Sequence, residues 1–282
     1  MIPGHILSHI ERSFGTITNT QSVGGGCIAD AYKITCHSQT LFLKCGQLIP
    51  GMFYKEAHGL EELQKSSSIY IPNVLDVQHD FLLLEHIKPG IRTPDFFTIF
   101  GKAFAHMHQY TSETCGFFED NYLGLSYQKN TPSTDWAEFF FSHRLVFQLE
   151  LMKEKNLEYK NLEQLIFSAE STIKKTLSHK APPFSLLHGD LWGGNYMVTR
   201  HGMPCLIDPA VYYGDREADL AMTKLFGGFS PEFYRAYEEE YPLSAGHKER
   251  EILYTLYHIM NHYTLFGGGY YNQAISLIKQ II

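Results

Sequence analysis

The chain has 282 residues and a formal net charge of −7; 44 % of its residues are hydrophobic and 19 % are charged. This length forms one large domain or two lobes around a cleft, and the composition excludes a disordered chain and a coiled coil. No basic run or basic amphipathic helix stands out, so a nucleic-acid partner held by backbone charge is not expected.

Residues 5–14 read as a short helix, and MIPGHILSHIERSF lacks the basic region and long apolar run of a signal peptide. The segment Gly24-Gly25-Gly26 follows, then Ala31–Thr35, a turn at His37-Ser38, and Thr40–Cys45. This is a strand, Gly-rich turn, strand, turn, strand pattern. Residues 52–66 place Met52, Ala57, Leu60 and Leu63 near one helical face, and Val74–Gln78 with Phe81–His86 forms a further hairpin. The first 86 residues therefore make a small antiparallel sheet with one helix lodged between its strands. Pro89-Gly90 breaks the pattern as a lobe hinge rather than a flexible tether.

Beyond the hinge the chain is mainly helical, over Asp95–Tyr110, Trp136–Lys153, Leu162–Leu177 and Glu249–Phe266. Between the last two, Phe184–Leu187 reads as a strand ending at His188, and Asn195–Thr199 with Met203–Ile207 reads as a hairpin around Arg200-His201-Gly202. No stretch reaches the about 18 apolar residues of a membrane span, and a cytoplasmic protein without a membrane partner is expected. The five cysteines, Cys27, Cys36, Cys45, Cys115 and Cys205, are irregularly spaced and suggest neither a disulfide framework nor a zinc knuckle. His258 and His262 stand at i,i+4, but no His-Glu-x-x-His pattern and no third ligand accompany them, so they read as helix histidines.

Three polar groups punctuate the late hairpin: Asp190, Asn195 and Asp208. The hairpin folds Asn195 back beside Asp208. Phosphoryl transfer from a nucleotide needs one carboxylate to accept the proton of the attacking hydroxyl, and hard oxygen ligands to hold a magnesium ion on the phosphates. Asp190 suits the first role, and Asn195 with Asp208 suits the second. Gly24, Gly25 and Gly26 allow a close backbone approach to phosphate, though without the Walker ending. Lys44, on a strand lining the cleft, could pair with nucleotide phosphates, with Glu56 holding it; Glu61 and Glu62 compete for that second role. Backbone groups between Glu85 and Ile87 could read an adenine edge.

The sequence His188-Gly189-Asp190-Leu191-Trp192-Gly193-Gly194-Asn195, with Ile207-Asp208-Pro209-Ala210, resembles the fructosamine kinase (ketosamine kinase) family. That family belongs to the aminoglycoside-phosphotransferase-like branch of the protein-kinase-like fold. Supporting segments run through most of the chain: Gly24–Ile28 with Ala31-Tyr32, Phe42-Leu43-Lys44, Glu56-Ala57, His106-x-His108, Asp120-Asn121-Tyr122, Asp135-Trp136, Arg144-Leu145 and Asp215–Met222. The resemblance implies an α+β, bilobal protein-kinase-like fold, with a small antiparallel-sheet N-lobe (1–87) and a mainly helical C-lobe (88–282).

By the same resemblance, Asp190 is the catalytic base, Asn195 and Asp208 hold Mg2+, and Lys44, oriented by Glu56, pairs with the phosphates of ATP. The implied reaction is ATP-dependent phosphorylation of a sugar hydroxyl, the 3-hydroxyl, of ketosamines such as ribulosamines or fructosamines, in deglycation. Kinases of the same fold acting on choline, homoserine, aminoglycosides or other sugars stand as the alternative, followed by a non-catalytic nucleotide-binding module. Trp192 is expected to stack on the sugar or its amine substituent. Asp120, Asn121 and Asp215 are expected either to contact hydroxyls or a cationic amine, or to fasten loops. Asp219 and His188 are expected to support the catalytic loop. The resemblance also raises redox control at Cys27. Whether the protein is a monomer or a homodimer stays open.

Overall fold

Strand alternation decides which side chains of the small lobe face the cleft. The computed structural model describes residues 1–24, 29–37, 39–181 and 183–282. After α1 (Gly4–Phe14) come β1 (Ile17–Ser22), β2 (Asp30–Cys36), β3 (Gln39–Cys45), α2 (Met52–Gln64), β4 (Val74–Val77) and β5 (Phe81–Glu85). The five strands form one antiparallel sheet of order β1-β2-β3-β5-β4. Side chains alternate across each strand. Leu41, Leu43 and Cys45 of β3 join Ile34, Phe81 and Leu83 in a core covered by Ile2, Ile6 and Ile10 of the α1 region. Phe42 and Lys44 are left on the opposite face. In β5 both faces are covered, because Leu82 and Leu84 pack with Phe53, Ala57, Leu60 and Leu63 of α2. This explains why Phe81–Leu84 reads as an unbroken apolar run. Two hydrogen bonds pin α1 to the β4–β5 hairpin: His5 Nε2 to Asp80 Oδ2 at 2.6 Å and His9 Nε2 to Asp76 Oδ2 at 2.6 Å.

The larger lobe runs through α3 (Phe96–His108), β6 (Thr111–Ser112), β7 (Asn121–Leu123), β8 (Ser126–Gln128), α4 (Trp136–Phe140), a π-helical turn (Phe141–Val146), α5 (Phe147–Glu154), α6 (Lys160–Ser168) and α7 (Glu170–Leu177). It continues with β9 (Phe184–Leu187), β10 (Tyr196–Val198), β11 (Pro204–Leu206), β12 (Tyr212–Gly214), α8 (Glu217–Lys224), α9 (Pro231–Glu240), α10 (His247–Phe266) and α11 (Tyr270–Ile278). The architecture is α+β, with a small antiparallel sheet and a mainly helical remainder. Two expected helices are less regular than their periodicity suggests. Residues 136–153 contain the π-helical turn, and the helix expected over Leu162–Leu177 breaks at Ala169 into α6 and α7.

A three-stranded sheet, β12-β9-β6, delivers the polar segment to the cleft. Its central strand β9 runs directly into His188, and β12 begins shortly after Asp208. The β10–β11 hairpin is strapped to both lobes: Gly90 N–H donates to Val198 O at 2.9 Å, and Leu206 N–H donates to Tyr70 O at 3.0 Å. A Cβ on Gly90 would lie 2.1 Å from Thr199 O, so this contact requires glycine. No helix among the described residues is long and apolar enough to cross a membrane.

Candidate active site

The alternation of β3 aims Lys44 into the cleft. There its Nζ donates to Glu56 Oε1 of α2 at 2.7 Å and to Asp208 Oδ1 at 2.6 Å. Burial works against the lysine charge, but the two carboxylates outweigh it and raise the pKa of Lys44. Burial, reinforced by the nearby Asp208 charge, pushes Glu56 upward despite its lysine partner. Of the three acidic candidates on α2, Glu56 is the one beside Lys44. Glu62 instead accepts from Tyr213 Oη at 2.7 Å and Lys65 Nζ at 2.7 Å, and Glu61 is exposed.

Asp219 of α8 fastens the loop after β9. Its Oδ2 accepts the His188 N–H at 2.7 Å, and its Oδ1 accepts the Gly189 N–H at 2.8 Å. His108 Nε2 of α3 stands 3.3 Å from Asp219 Oδ2. Burial would raise the Asp219 carboxyl, but the contact with His108 and the loop N–H bonds hold it below the ordinary value. Burial lowers the pKa of His188, favouring a neutral ring. That ring bridges the site, with Nε2 donating to Ile207 O at 3.0 Å and Nδ1 accepting the Asp190 N–H at 3.2 Å. Gly189 has φ +81°, and a Cβ there would lie 2.0 Å from Ala210 O.

Asp190 is half-buried, and its carboxyl pKa stands well above the usual range, through burial first and then through the charges of Asp208 and Asp219. Asn195 Nδ2 donates to Asp190 Oδ2 at 3.0 Å and to Asp190 O at 2.8 Å. Ile207 N–H donates to Asn195 O at 3.1 Å, which sets Asn195 beside Asp208. The Asn195 Oδ1 accepts no hydrogen bond among the described residues. The Asn195 side chain reaches Asp208, its Nδ2 standing 3.5 Å from Asp208 O, and the amide oxygen with the Asp208 carboxylate supplies hard oxygens, a donor chemistry that fits magnesium. The cleft thus gathers a carboxylate of raised basicity, an oxygen pair suited to a hard cation, and a lysine held by a second carboxylate.

The sequence profile described as Fructosamine kinase matches residues 3–282. The chain belongs to the fructosamine kinase family. Among its relatives, a protein named "Probable ketoamine kinase" of Vibrio parahaemolyticus is 40 % identical over 274 residues, spanning 94 % of this chain and 93 % of that one. The chloroplastic protein-ribulosamine 3-kinase of Oryza sativa subsp. japonica is 37 % identical over 277 residues, spanning 94 % and 79 %. A crystal structure from Haemophilus somnus, designated a fructosamine-3-kinase by inference, superposes with a TM-score of 0.87 at 34 % identity, covering 98 % and 96 % of the two chains. A thermostable mutant of an aminoglycoside phosphotransferase superposes with a TM-score of 0.65 at 14 % identity over 98 % and 96 %, a likeness of fold alone. The protein is accordingly an ATP-dependent phosphotransferase of kinase-like fold.

The remaining expected residues of this fructosamine kinase family member are placed as follows. Gly24 is exposed just past β1, and Gly25, Gly26 and Cys27 lie outside the described residues. The Glu85 side chain accepts from Tyr70 Oη at 2.5 Å and Asn73 Nδ2 at 2.8 Å, and Ile87 is buried. Trp192 is exposed two residues past Asp190 and meets Phe226 edge-on at 6.1 Å. Its ring lies over Gly194, where a Cβ would approach it to 2.4 Å.

Asp120 accepts from Tyr127 Oη at 2.6 Å and from the Asn130 N–H at 2.7 Å. Asn121 is buried, and its Nδ2 donates to Val211 O at 2.7 Å. Asp215 accepts from Tyr254 Oη at 2.6 Å and from the Glu217 N–H at 3.1 Å, and pairs with His179 Nε2 at 3.0 Å. All three are thus bonded to the chain's own groups. His179, Asp215 and Glu217 converge closely enough to hold a cation, yet Glu217 is already paired with Arg250 through bonds of 2.7 and 2.8 Å. His262 Nδ1 donates to His258 O at 2.7 Å, and no third ligand joins the pair among the described residues. The sequence reading did not single out Phe226, Gln128 or Asn130. Phe226 carries one faint signal, the Gly227-Gly228 pair that follows its own left-handed φ of +57°.

Proposed function

We propose that the chain transfers the γ-phosphoryl group of ATP to a sugar hydroxyl, the 3-hydroxyl, of a ketosamine such as a ribulosamine or fructosamine, and so serves deglycation. The observation that carries this reading is the opposition of Asp190, bonded to Asn195, to the Asp208–Lys44–Glu56 set across one cleft. The names of the relatives, ketoamine kinase and protein-ribulosamine 3-kinase, supply the acceptor class.

In this reading Asp190 takes the proton of the attacking hydroxyl. The oxygen forms its bond to the γ-phosphorus as the bond to the β–γ bridging oxygen breaks, and ADP leaves. The raised pKa of Asp190 makes it a better base than an ordinary carboxylate. Lys44 faces the phosphates, and Glu56 keeps it oriented when Asp208 turns to its ligand. Asn195 and Asp208 would hold Mg2+, which neutralises charge on the phosphate oxygens. Trp192 offers an exposed ring to the sugar or its amine substituent. Asp120, Asn121 and Asp215 fasten loops through bonds to the chain's own groups. Gly24, Gly25 and Gly26 would cover the phosphates, and the Glu85–Ile87 backbone would read the adenine. The lobes would divide at 87/88. The four described cysteines are free and buried, which suits the cytoplasmic setting we propose.

The test is an assay with magnesium and ATP on ribuloselysine and fructoselysine, beside a panel of aminoglycosides. Phosphorylation of a ketoamine is expected. Turnover of an aminoglycoside with none of any ketoamine would overturn the acceptor class. Asp190→Asn is expected to lower kcat by about 10²- to 10⁴-fold, and a retained rate would remove Asp190 from the role of base.

A further inference from the structure

Behind the catalytic segment lies a connected set of buried polar side chains that the phosphotransfer chemistry above does not use. It starts at Arg144, fully buried within the π-helical turn. Among the described residues no carboxylate pairs with its guanidinium. The group is flanked instead by the rings of Phe139 at 4.7 Å and Tyr212 at 4.1 Å. It donates to Lys129 O at 2.6 Å, His143 O at 3.1 Å and Asn130 Oδ1 at 2.8 Å. A buried charge is costly unless rings and acceptors replace its water, and π-helical turns are rare and concentrate at functional sites.

From Arg144 the bonds lead toward the cleft. Asn130 Nδ2 donates to Asn121 Oδ1 at 2.9 Å, and Gln128 Nε2 donates to the same oxygen at 2.8 Å. Tyr257 Oη fixes the other end of Gln128, donating to its Oε1 at 2.8 Å. The set ends on the main chain of the catalytic segment, with Gln128 Nε2 donating to Ala210 O at 3.1 Å and Asn121 Nδ2 donating to Val211 O at 2.7 Å. Two residues upstream, Asp208 has φ +55°. A left-handed backbone at a residue other than glycine costs on the order of 1 kcal/mol and persists only where its surroundings over-determine it. On the other side of the same turn, the Ala210 N–H donates to His188 O at 2.9 Å.

We propose that the amide relay Arg144–Asn130–Asn121–Gln128 positions the Asp208 carboxylate for its cation, by fixing the carbonyls of Ala210 and Val211 and so the left-handed turn at Asp208. The inference rests on reading Asp208 as a ligand of the nucleotide's metal. Gln128 and Asn121 are positioning residues here, since they reach Asp208 only through the backbone.

Mn2+ is the probe. Its affinity for the ATP-loaded enzyme is read from the electron paramagnetic resonance of free Mn2+, and the affinity for ATP without metal is read by calorimetry. Gln128→Met keeps the length and removes both the donor and the acceptor. The expected result is Mn2+ binding weakened by about tenfold or more, with metal-free ATP affinity little changed. Ser126→Ala deletes a buried hydroxyl of the same hairpin that has no partner among the described residues, and should alter neither.

If Gln128→Met does not fold, Gln128→Glu takes its place. It is isosteric and loses the donor to Ala210 O when ionised, so its Mn2+ defect relative to wild type should narrow as the pH is lowered. Mn2+ affinity close to wild type in the Gln128 variant, or metal-free ATP affinity falling in parallel with it, overturns the relay. If wild type binds no Mn2+ with ATP, or Asp208→Asn keeps it in full, the metal reading of Asp208 fails first and the relay falls with it.

Discussion

The base role we propose for Asp190 carries a cost. Its folded pKa is raised, so the folded protein holds that proton more tightly than the unfolded chain does. Stability from this group is therefore present at low pH and is lost as the pH rises from the ordinary carboxylate range through the raised value. Asp190→Asn should raise the Tm of the metal-free enzyme by a few degrees at pH 8, with the gap closing on acidification; a lowered Tm at pH 8 would contradict this. Asp219→Ala has the opposite character. It strips the His188 and Gly189 N–H groups of their acceptor. Leaving such buried donors unpaired should cost about 3 kcal/mol, measurable by urea unfolding. The convergence of Asp190, Asn195 and Asp208 was legible in the sequence, because a hairpin between Asn195 and Asp208 fixes their spacing. The roles of Asp120, Asn121 and Asp215 were not, because one letter serves equally for a hydroxyl contact and a loop fastener. Only the placement of Tyr127, Val211 and Tyr254 shows which donors and acceptors they meet.

At the scale of elements, α2 is clamped to the larger lobe along its length. Lys55 Nζ and His58 Nδ1 both reach Glu119, at 2.6 and 2.7 Å, and Glu62 accepts from Tyr213. Between them a Cβ on Gly59 would come to 3.3 Å from Val211 Cγ2, tighter than ordinary van der Waals contact, so the helix runs close against the segment that carries Asp208. The helix that bears Glu56 is thereby tied to the segment that bears Asp208. Glu119→Ala should loosen that registry and raise the KM for ATP several-fold, with a smaller change in the KM for sugar; equal changes in both would argue against a specific effect on the nucleotide side. The elements themselves differed in legibility. β3 and β5 announce themselves, since alternation and a doubly covered strand leave clear patterns. The β7–β8 hairpin has three-residue strands, too short to show a period. Helix α8 is buried almost throughout, so it lacks the amphipathic face that marks a surface helix. The π-helical turn has no signal of its own, because the apolar period of its flanks runs straight across it.

For the whole molecule, the division into two lobes follows from the change of period after Pro89-Gly90, yet the way the lobes are joined does not. Gly90 is hydrogen-bonded to Val198 of the β10–β11 hairpin rather than hanging free. Gly90→Ala would drive a methyl group into Thr199 O and should cost about 2 kcal/mol, seen as a lowered urea midpoint. ATP with magnesium at about a hundred times Kd should return about 2.7 kcal/mol to the wild type. A different consequence follows from α1. Its Ile6 and Ile10 are covered by Phe81 and Leu83, which a ribosome adds much later in synthesis. At translation rates of about 5–20 residues per second, that apolar face stands bare for several seconds on each new chain. The nascent small lobe is therefore a natural client for a chaperone at the exit tunnel, well before there is any cleft for a nucleotide to enter.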